Sequence, residues 1–292
     1  MLTNHQTSPP AYCKICQAET RAFGKTLIMA KHTASYRRCV SCGFLFAEEP
    51  HWLQEAYSDA ITSTDMGTVS RADRNSLMTK ATIDLFYRSS KTYLDYGAGY
   101  GMFVRRMRDL GYDFHAYDLH CQNMFAEQVA LVSLDGKHYD LSTAFEVFEH
   151  LEDPLSVIKL LFAVADHLLI TTEILPEPVP SLDAWWYFAP EHGQHISFYT
   201  LKSLRIMAKA GSRFFYTNGC NIHLFSRKPL SEYWFRKAIS ERNSQWIGLW
   251  RPRKSLLDHD WQSVRTQVLT KLGYQQEKGG PEEKQDKHDQ QL

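Results

Sequence analysis

The sequence predicts an α/β protein, a largely parallel sheet covered by helices on both faces, preceded by a small metal-binding ribbon. Three observations carry this. Two tight cysteine pairs open the chain, strand-like and helix-like runs alternate between residues 91 and 228, and a loop with glycine at every second position joins the first of those strands to the first helix.

The chain has 292 residues, enough for one domain of about 200 residues and a small appendage. Lysine plus arginine and aspartate plus glutamate number 33 each. No net basic field is therefore available to hold a nucleic-acid backbone, and no nucleic-acid partner is expected. Residues 1–10 are polar and lack the apolar core of a signal peptide, and no run of about 18 apolar residues occurs. The expectation is a cytoplasmic protein without membrane association. In that reducing compartment the six cysteines read as metal ligands or buried thiols.

The first element is the cysteine framework. Cys13-Lys14-Ile15-Cys16 and Cys39-Val40-Ser41-Cys42 flank a strand-like run, Thr26 to Met29. Each pair forms a turn that aims two thiolates at one centre, and two turns complete a tetrahedral four-sulfur site suited to a structural zinc. Gly43 permits the positive φ such turns need. A thioredoxin-like redox motif is the alternative, but it needs one pair and not two. Cys121 and Cys220 stand alone and read as packing residues. Residues 1–47 are thus expected to be a zinc ribbon.

Residues 48–90 read as a helical linker, with an apolar stripe of Leu77, Ala81, Ile83, Leu85 and Phe86. Asp65-Met66-Gly67 and Arg71 fall where a lid would form, although a solvated loop accounts for them too. In residues 91–228, strands are expected at Thr92–Tyr96, Phe114–Asp118, Ala130–Leu134, Leu141–Glu146 and Leu168–Glu173. Helices fit Met102–Leu110, Pro154–Ala165 and Leu201–Ala210, the first and last closed by Gly111 and Gly211. Two further strands, Arg213–Thr217 and Ile222–Ser226, flank the hairpin signal Asn218-Gly219. Residues 229–274 resume a helical pattern containing Trp234, Trp246, Trp250 and Trp261, expected to cap the domain. Residues 275–292 are almost devoid of apolar side chains and are expected to be disordered.

The loop Gly97-Ala98-Gly99-Tyr100-Gly101 lets backbone approach a ligand closely and points helix N–H groups at it. A dinucleotide fingerprint would need glycine where Met102 stands, so NAD or FAD is the minor alternative. Asp118, at the end of the second strand, is placed to accept both hydroxyls of a ribose.

Residues 92–227, with this strand, glycine loop, helix and acidic strand end, resemble the class I methyltransferases that use S-adenosylmethionine (SAM). The cysteine pairs resemble the zinc-binding segment ahead of that domain in sugar C-methyltransferases. The resemblance implies a Rossmann-like, seven-stranded sheet, with Gly97, Gly99 and Gly101 under the methionine part of SAM and Asp118 on its ribose. It also places Glu146 beside the methyl group, while Asp95 is placed to face the methionine amine.

Methyl transfer is an in-line displacement, so the acceptor must be aligned and, for a hydroxyl or carbon acid, deprotonated. Histidine is the natural base. His150 follows the fourth strand of the sheet and His192 and His195 follow the fifth, all on the ligand-binding carboxyl edge. Trp185-Trp186-Tyr187-Phe188, just ahead of the latter pair, offer flat faces for a sugar or planar substrate, or else belong to the core. Glu191-His192 resembles the Glu-His pair of sugar C-methyltransferases, which implies His192 as base, oriented by Glu191 or Glu149, with His150 and His195 positioning the acceptor.

The function expected is methylation of a small metabolite or saccharide, including nucleotide-linked sugars, at carbon or oxygen. Two rivals remain: a nucleic-acid or protein methyltransferase that docks its target on the ribbon, and a SAM-binding protein without turnover. The first lacks both a basic field and an Asn-Pro-Pro-Tyr-type motif after the fourth strand. The oligomeric state has no signature in the sequence.

Overall fold

The computed structural model describes residues 12–58, 65–249 and 252–272. The expected tail 275–292, the polar residues 1–10 and Trp250 lie outside them. Residues up to Leu256 form one compact unit, and from Leu257 the chain forms a second, whose described part is a single helix, Leu257–Lys271. Among the described residues no helix is long and apolar enough to cross a membrane.

The cysteine segment folds as a meander of β1 (Thr20–Ile28), β2 (His32–Cys39) and β3 (Leu45–Glu48), all antiparallel. Its fourth strand comes from far along the chain: β3 pairs with β8 (Ser197–Phe198), Leu45 opposite Phe198. A short helix α1 (Leu53–Ala56) and the long α2 (Thr68–Phe86) then lead into the larger sheet.

That sheet contains β4 (Tyr93–Tyr96), β5 (Phe114–Tyr117), β6 (Tyr139–Phe145), β7 (Ala165–Thr171), β9 (Phe214–Thr217) and β10 (Ile222–Ser226), in the order β5-β4-β6-β7-β10-β9. The first four strands are parallel, and the β9–β10 hairpin joins β7 through an antiparallel pairing. Helices α3 (Met102–Asp109), α4 (Pro154–Val164) and α5 (Leu201–Ala210) connect them. This is the class I methyltransferase arrangement with six strands instead of the expected seven. The missing edge strand, Ala130–Leu134, is reduced to one parallel bridge between Ala116 and Ala130. The chain turns outward beyond it, leaving Val132 fully exposed, so no side-chain burial holds an edge strand there.

Two apolar layers sandwich the sheet. On one side Phe103, Val104 and Met107 of α3 meet Tyr93 and Phe114, whose rings stack at 4.9 Å. Helices α6 (Glu232–Ala238) and α7 (Glu241–Leu249) pack on α2. On the other side Ile158 and Leu161 of α4 and Leu204 and Met207 of α5 share one cluster with Cys13, Cys39, Cys42, Phe44 and Phe46. The cysteine turns therefore sit within the core that supports the large sheet.

Candidate active site

The four cysteines converge. Cys13 Sγ lies 3.6 Å from Cys42 Sγ, and Cys16 Sγ 3.4 Å from Cys39 Sγ. Four sulfurs at about 2.3 Å from a tetrahedral zinc stand about 3.8 Å apart, so a small outward movement accommodates the ion. Backbone amides of Ile15, Ser41 and Cys42 already point at sulfurs, at 3.3–3.4 Å, as donors that favour thiolates. Gly43 adopts φ +77°, as its place after the last cysteine predicts.

At the carboxyl edge of the large sheet opens a cavity of about 540 Å³, within the range of small-ligand sites. One half is built by the glycine loop. Gly97, at φ +72°, leaves no room for a Cβ, which would stand 2.5 Å from Val147 Cγ2, so glycine lets the loop pass between β4 and the turn after β6. Asp118 organises the loop: Oδ2 accepts from Gly99 N at 2.8 Å, and Oδ1 accepts from the amides of His120 and Cys121. Asp95 is buried, accepts from Thr143 Oγ1 at 2.6 Å, and burial pushes its pKa up to about 7. Asp95, Gly97, Gly99 and Asp118 all line the cavity, whereas Gly101 lies behind it at the start of α3, where a Cβ would strike Asn123.

The other half carries the histidines. Glu146, the residue after β6, sits at φ +53° with its carboxylate accepting from Thr171 Oγ1 at 2.6 Å, and burial raises its pKa. His150, His192 and His195 form a chain of edge-to-face rings, with centroids 4.9 Å apart at each step. Burial keeps all three below the usual imidazole pKa, His195 at about 4 and His150 well below normal with its two histidine neighbours adding to the effect. Glu149 is fully buried next to them and does not line the cavity. Burial, then the charge of Glu146, pushes its pKa up to about 8.

The protonation of two rings follows from their partners. His195 Nδ1 faces the Tyr187 carbonyl at 2.7 Å; a carbonyl only accepts, so Nδ1 carries the hydrogen and Nε2 a lone pair. His192 Nδ1 instead accepts from Gln194 N at 3.1 Å, so neutral His192 bears its hydrogen on Nε2 and acts as a donor there. A base role for His192 would require that bond to be released.

The histidine loop is held by the cysteine-ribbon side of the molecule. Met29 N donates to Pro190 O and Ala47 N to Ile196 O, both at 2.8 Å, Trp52 Nε1 donates to Gly193 O at 2.7 Å, and Gln194 Nε2 donates to Ala56 O at 2.8 Å. The aromatic run ahead of it divides its duties. Trp186, 72% exposed, and Tyr187 line the cavity, while Trp185 and Phe188 pack in the core with Tyr36 and Phe198, so each of the two alternatives for this run holds for part of it.

Of the remaining lining residues, Tyr57 had no sequence signal, whereas Asp65 and Arg71 belong to the segment read as a lid or a solvated loop. Tyr57 stacks on His120 at 5.1 Å, and Asp65 binds Arg71 Nη2 through both oxygens at 2.6 Å, bringing the α2 end of the lid segment to the cavity. His120 was open to suspicion, two residues after Asp118; Tyr57 was not.

Sheet order, glycine loop and acidic strand end together give this part of the chain the fold of the class I methyltransferases. A family model described as a methyltransferase domain matches residues 70–211, so this segment is a methyltransferase domain by sequence as well as by fold. No curated protein matches the chain. Among solved structures, the Burkholderia thailandensis 1,6-didemethyltoxoflavin-N1-methyltransferase is 16% identical, with a TM-score of 0.44 over 64% of this chain and 95% of its own. The magnesium protoporphyrin IX methyltransferase of Synechocystis PCC 6803, with bound SAM, is 12% identical, with a TM-score of 0.41 over 61% and 90%.

Proposed function

We propose that this methyltransferase acts on a small metabolite or saccharide, including nucleotide-linked sugars, at carbon or oxygen. The observation that carries the reading is that the glycine loop with Asp118 and the three histidines line one continuous cavity. SAM fits the first half: the loop admits no Cβ at Gly97, and Asp118 faces the ribose position. The acceptor lies in the second half, where the exposed face of Trp186 suits stacking on a sugar or planar ring. Its proton is removed at the Glu149–His150–His195 cluster, because His195 turns an electron pair outward while His192 turns out an N–H. Glu191 and His192 then bind the acceptor, which reverses the roles that the Glu191-His192 resemblance suggests. The four cysteines hold one structural zinc, which stabilises the support of the histidine loop.

Incubating the protein with a metabolite extract and methyl-labelled SAM, followed by mass spectrometry, identifies the acceptor. His195→Gln should then lower turnover by about 10²–10⁴-fold with SAM affinity unchanged, and His192→Ala should chiefly raise KM. If His192→Ala abolishes turnover and His195→Gln does not, His192 is the base. Absence of any labelled product alongside normal SAM binding would favour the non-catalytic reading.

A further inference from the structure

We propose that Glu149, His150 and His195 form a second metal site, for a divalent transition-metal cation such as zinc, iron(II) or manganese(II), at the acceptor end of the cavity. One ligand atom from each residue lies within 4.8 Å of the other two. Two imidazoles and one carboxylate on one side of an ion are a recurrent ligand set for such cations, and they leave coordination positions open.

The independent observation is what these groups lack. Glu149 is 0% exposed, yet neither carboxylate oxygen has a hydrogen-bond partner among the described residues. The Tyr187 and Thr172 hydroxyls lie nearby without reaching hydrogen-bond geometry. Buried polar groups are otherwise almost always partnered, and a buried carboxyl with neither oxygen bonded is costly in either protonation state. His150 Nδ1 is likewise buried and unpartnered. A cation held between one ligand atom of each residue would give this buried cluster the partner it lacks.

The surroundings also fit. His195 gives its Nδ1 hydrogen to a backbone carbonyl, the outer contact that fixes a metal-binding imidazole with Nε2 toward the ion. With metal–nitrogen bonds of about 2.1 Å and ligands about 90–110° apart, two coordinating imidazoles place their centroids roughly 4.5–5.2 Å apart. His150 and His195 stand at 4.9 Å. The turn that carries Glu149 and His150 is tied to the loop that carries His195, since Ile196 N donates to Glu149 O at 2.8 Å. The clip is thus preformed, with His150 and His195 facing the cavity and Glu149 closing it from behind.

This assignment deepens the proposed function, on whose acceptor half it rests: the ligand for the open positions would be an acceptor oxygen, such as a hydroxyl or a neighbouring pair of oxygens. With the ion bound, the His195 electron pair is engaged by the metal and coordination takes over the role of the direct base: it acidifies that hydroxyl, whose proton passes to solvent, and the oxygen attacks the methyl carbon as the carbon–sulfur bond breaks and its electron pair returns to sulfur.

Full-length protein is dialysed to equilibrium against zinc and, separately, manganese(II), with bound metal counted per chain and SAM binding followed in the same samples. Wild type should take up one zinc beyond that held by the cysteines, or one manganese(II). Glu149→Gln and His195→Gln should each weaken that extra equivalent by at least about 100-fold while the cysteine-bound zinc is retained. Should a variant fail to fold by circular dichroism, His150→Asn provides the same comparison. No extra equivalent of either metal, or one that survives all three substitutions, overturns the site. Methyl transfer persisting at full rate after the extra metal is stripped would overturn the role given to the ion in the reaction and leave the function standing. Metal binding without any methyl transfer would leave the site standing and overturn the function.

Discussion

The Thr200 hydroxyl donates to the carbonyl of Cys42 at 2.6 Å while accepting from the amide of Ser203 at 3.0 Å, so one side chain caps α5 and holds the last cysteine turn. Thr200→Val keeps the volume and removes both bonds. Denaturant unfolding should show a loss of about 1–2 kcal/mol, and a chelator should strip zinc from the variant faster. Equal stability and equal zinc loss would show the link to be idle. X-ray absorption of wild type should show four sulfurs at about 2.3 Å. Sulfur-bound zinc below about half an equivalent per chain would remove the metal from the cysteine site.

Asp118 is expected to select the cofactor. Calorimetry should detect SAM or its demethylated product and only weak NAD binding, with Asp118→Ala costing about 1–3 kcal/mol of SAM affinity. That substitution also frees the amides of Gly99, His120 and Cys121, so the loop should loosen with it. Tight NAD binding without SAM binding would return the dinucleotide reading.

Gly97→Ala combines two penalties, a side chain at φ +72° and a methyl carbon 2.5 Å from Val147 Cγ2. The variant should lose SAM affinity and stability together, on the order of 1–3 kcal/mol in stability. Adding Val147→Ala should restore part of the loss, because it opens the space and leaves the backbone strain. A full recovery would mean that φ is unimportant there.

Asp95 gives the protein a pH dependence with a definite sign. Its native pKa, about 7, lies above the unfolded value of 3.8, so between those two the native state retains a proton that the unfolded chain releases. Stability of the ligand-free protein is therefore complete below pH 4 as far as this group is concerned and falls as pH rises toward 7, by on the order of 4 kcal/mol. Asp95→Asn should be more stable than wild type at pH 8 when SAM is absent. Cationic SAM favours the ionised carboxylate, so wild-type affinity should climb with pH through about 7 while the variant's stays flat. Parallel profiles for the two proteins would rule this out.

The parts of the fold readable in the sequence were those fixed by local chemistry. Strands buried on both faces, such as Leu168 to Thr171, announce themselves as apolar runs, and α5 is bracketed by Thr200 and Gly211. Ala130-Leu131-Val132 has the same apolar look, but at a sheet edge nothing covers Val132, and composition says nothing about what lies outside a strand. The β3–β8 pairing was hidden for another reason: Ser197–Phe198 is two residues long and its partner lies about 150 residues earlier, so no periodicity betrays it. In the site, residue types and the edge of the sheet were legible. The tautomer of His192 was not, because it depends on the path of the backbone around Gln194.

The β3–β8 pairing also imposes a timetable on synthesis. Residues 12–48 can gather their cysteines soon after they leave the ribosome, but the outer edge of β3 has no partner until Phe198 has emerged. Throughout that interval Leu45, Phe46 and Ala47, all buried in the finished protein, face solvent along an unpaired strand, the arrangement that invites pairing with another chain. Early capture of a metal ion would keep that strand short and anchored at Cys39 and Cys42 while the rest of the domain is made. Zinc supply during translation would then govern the yield of soluble protein more strongly than zinc supplied to the finished chain.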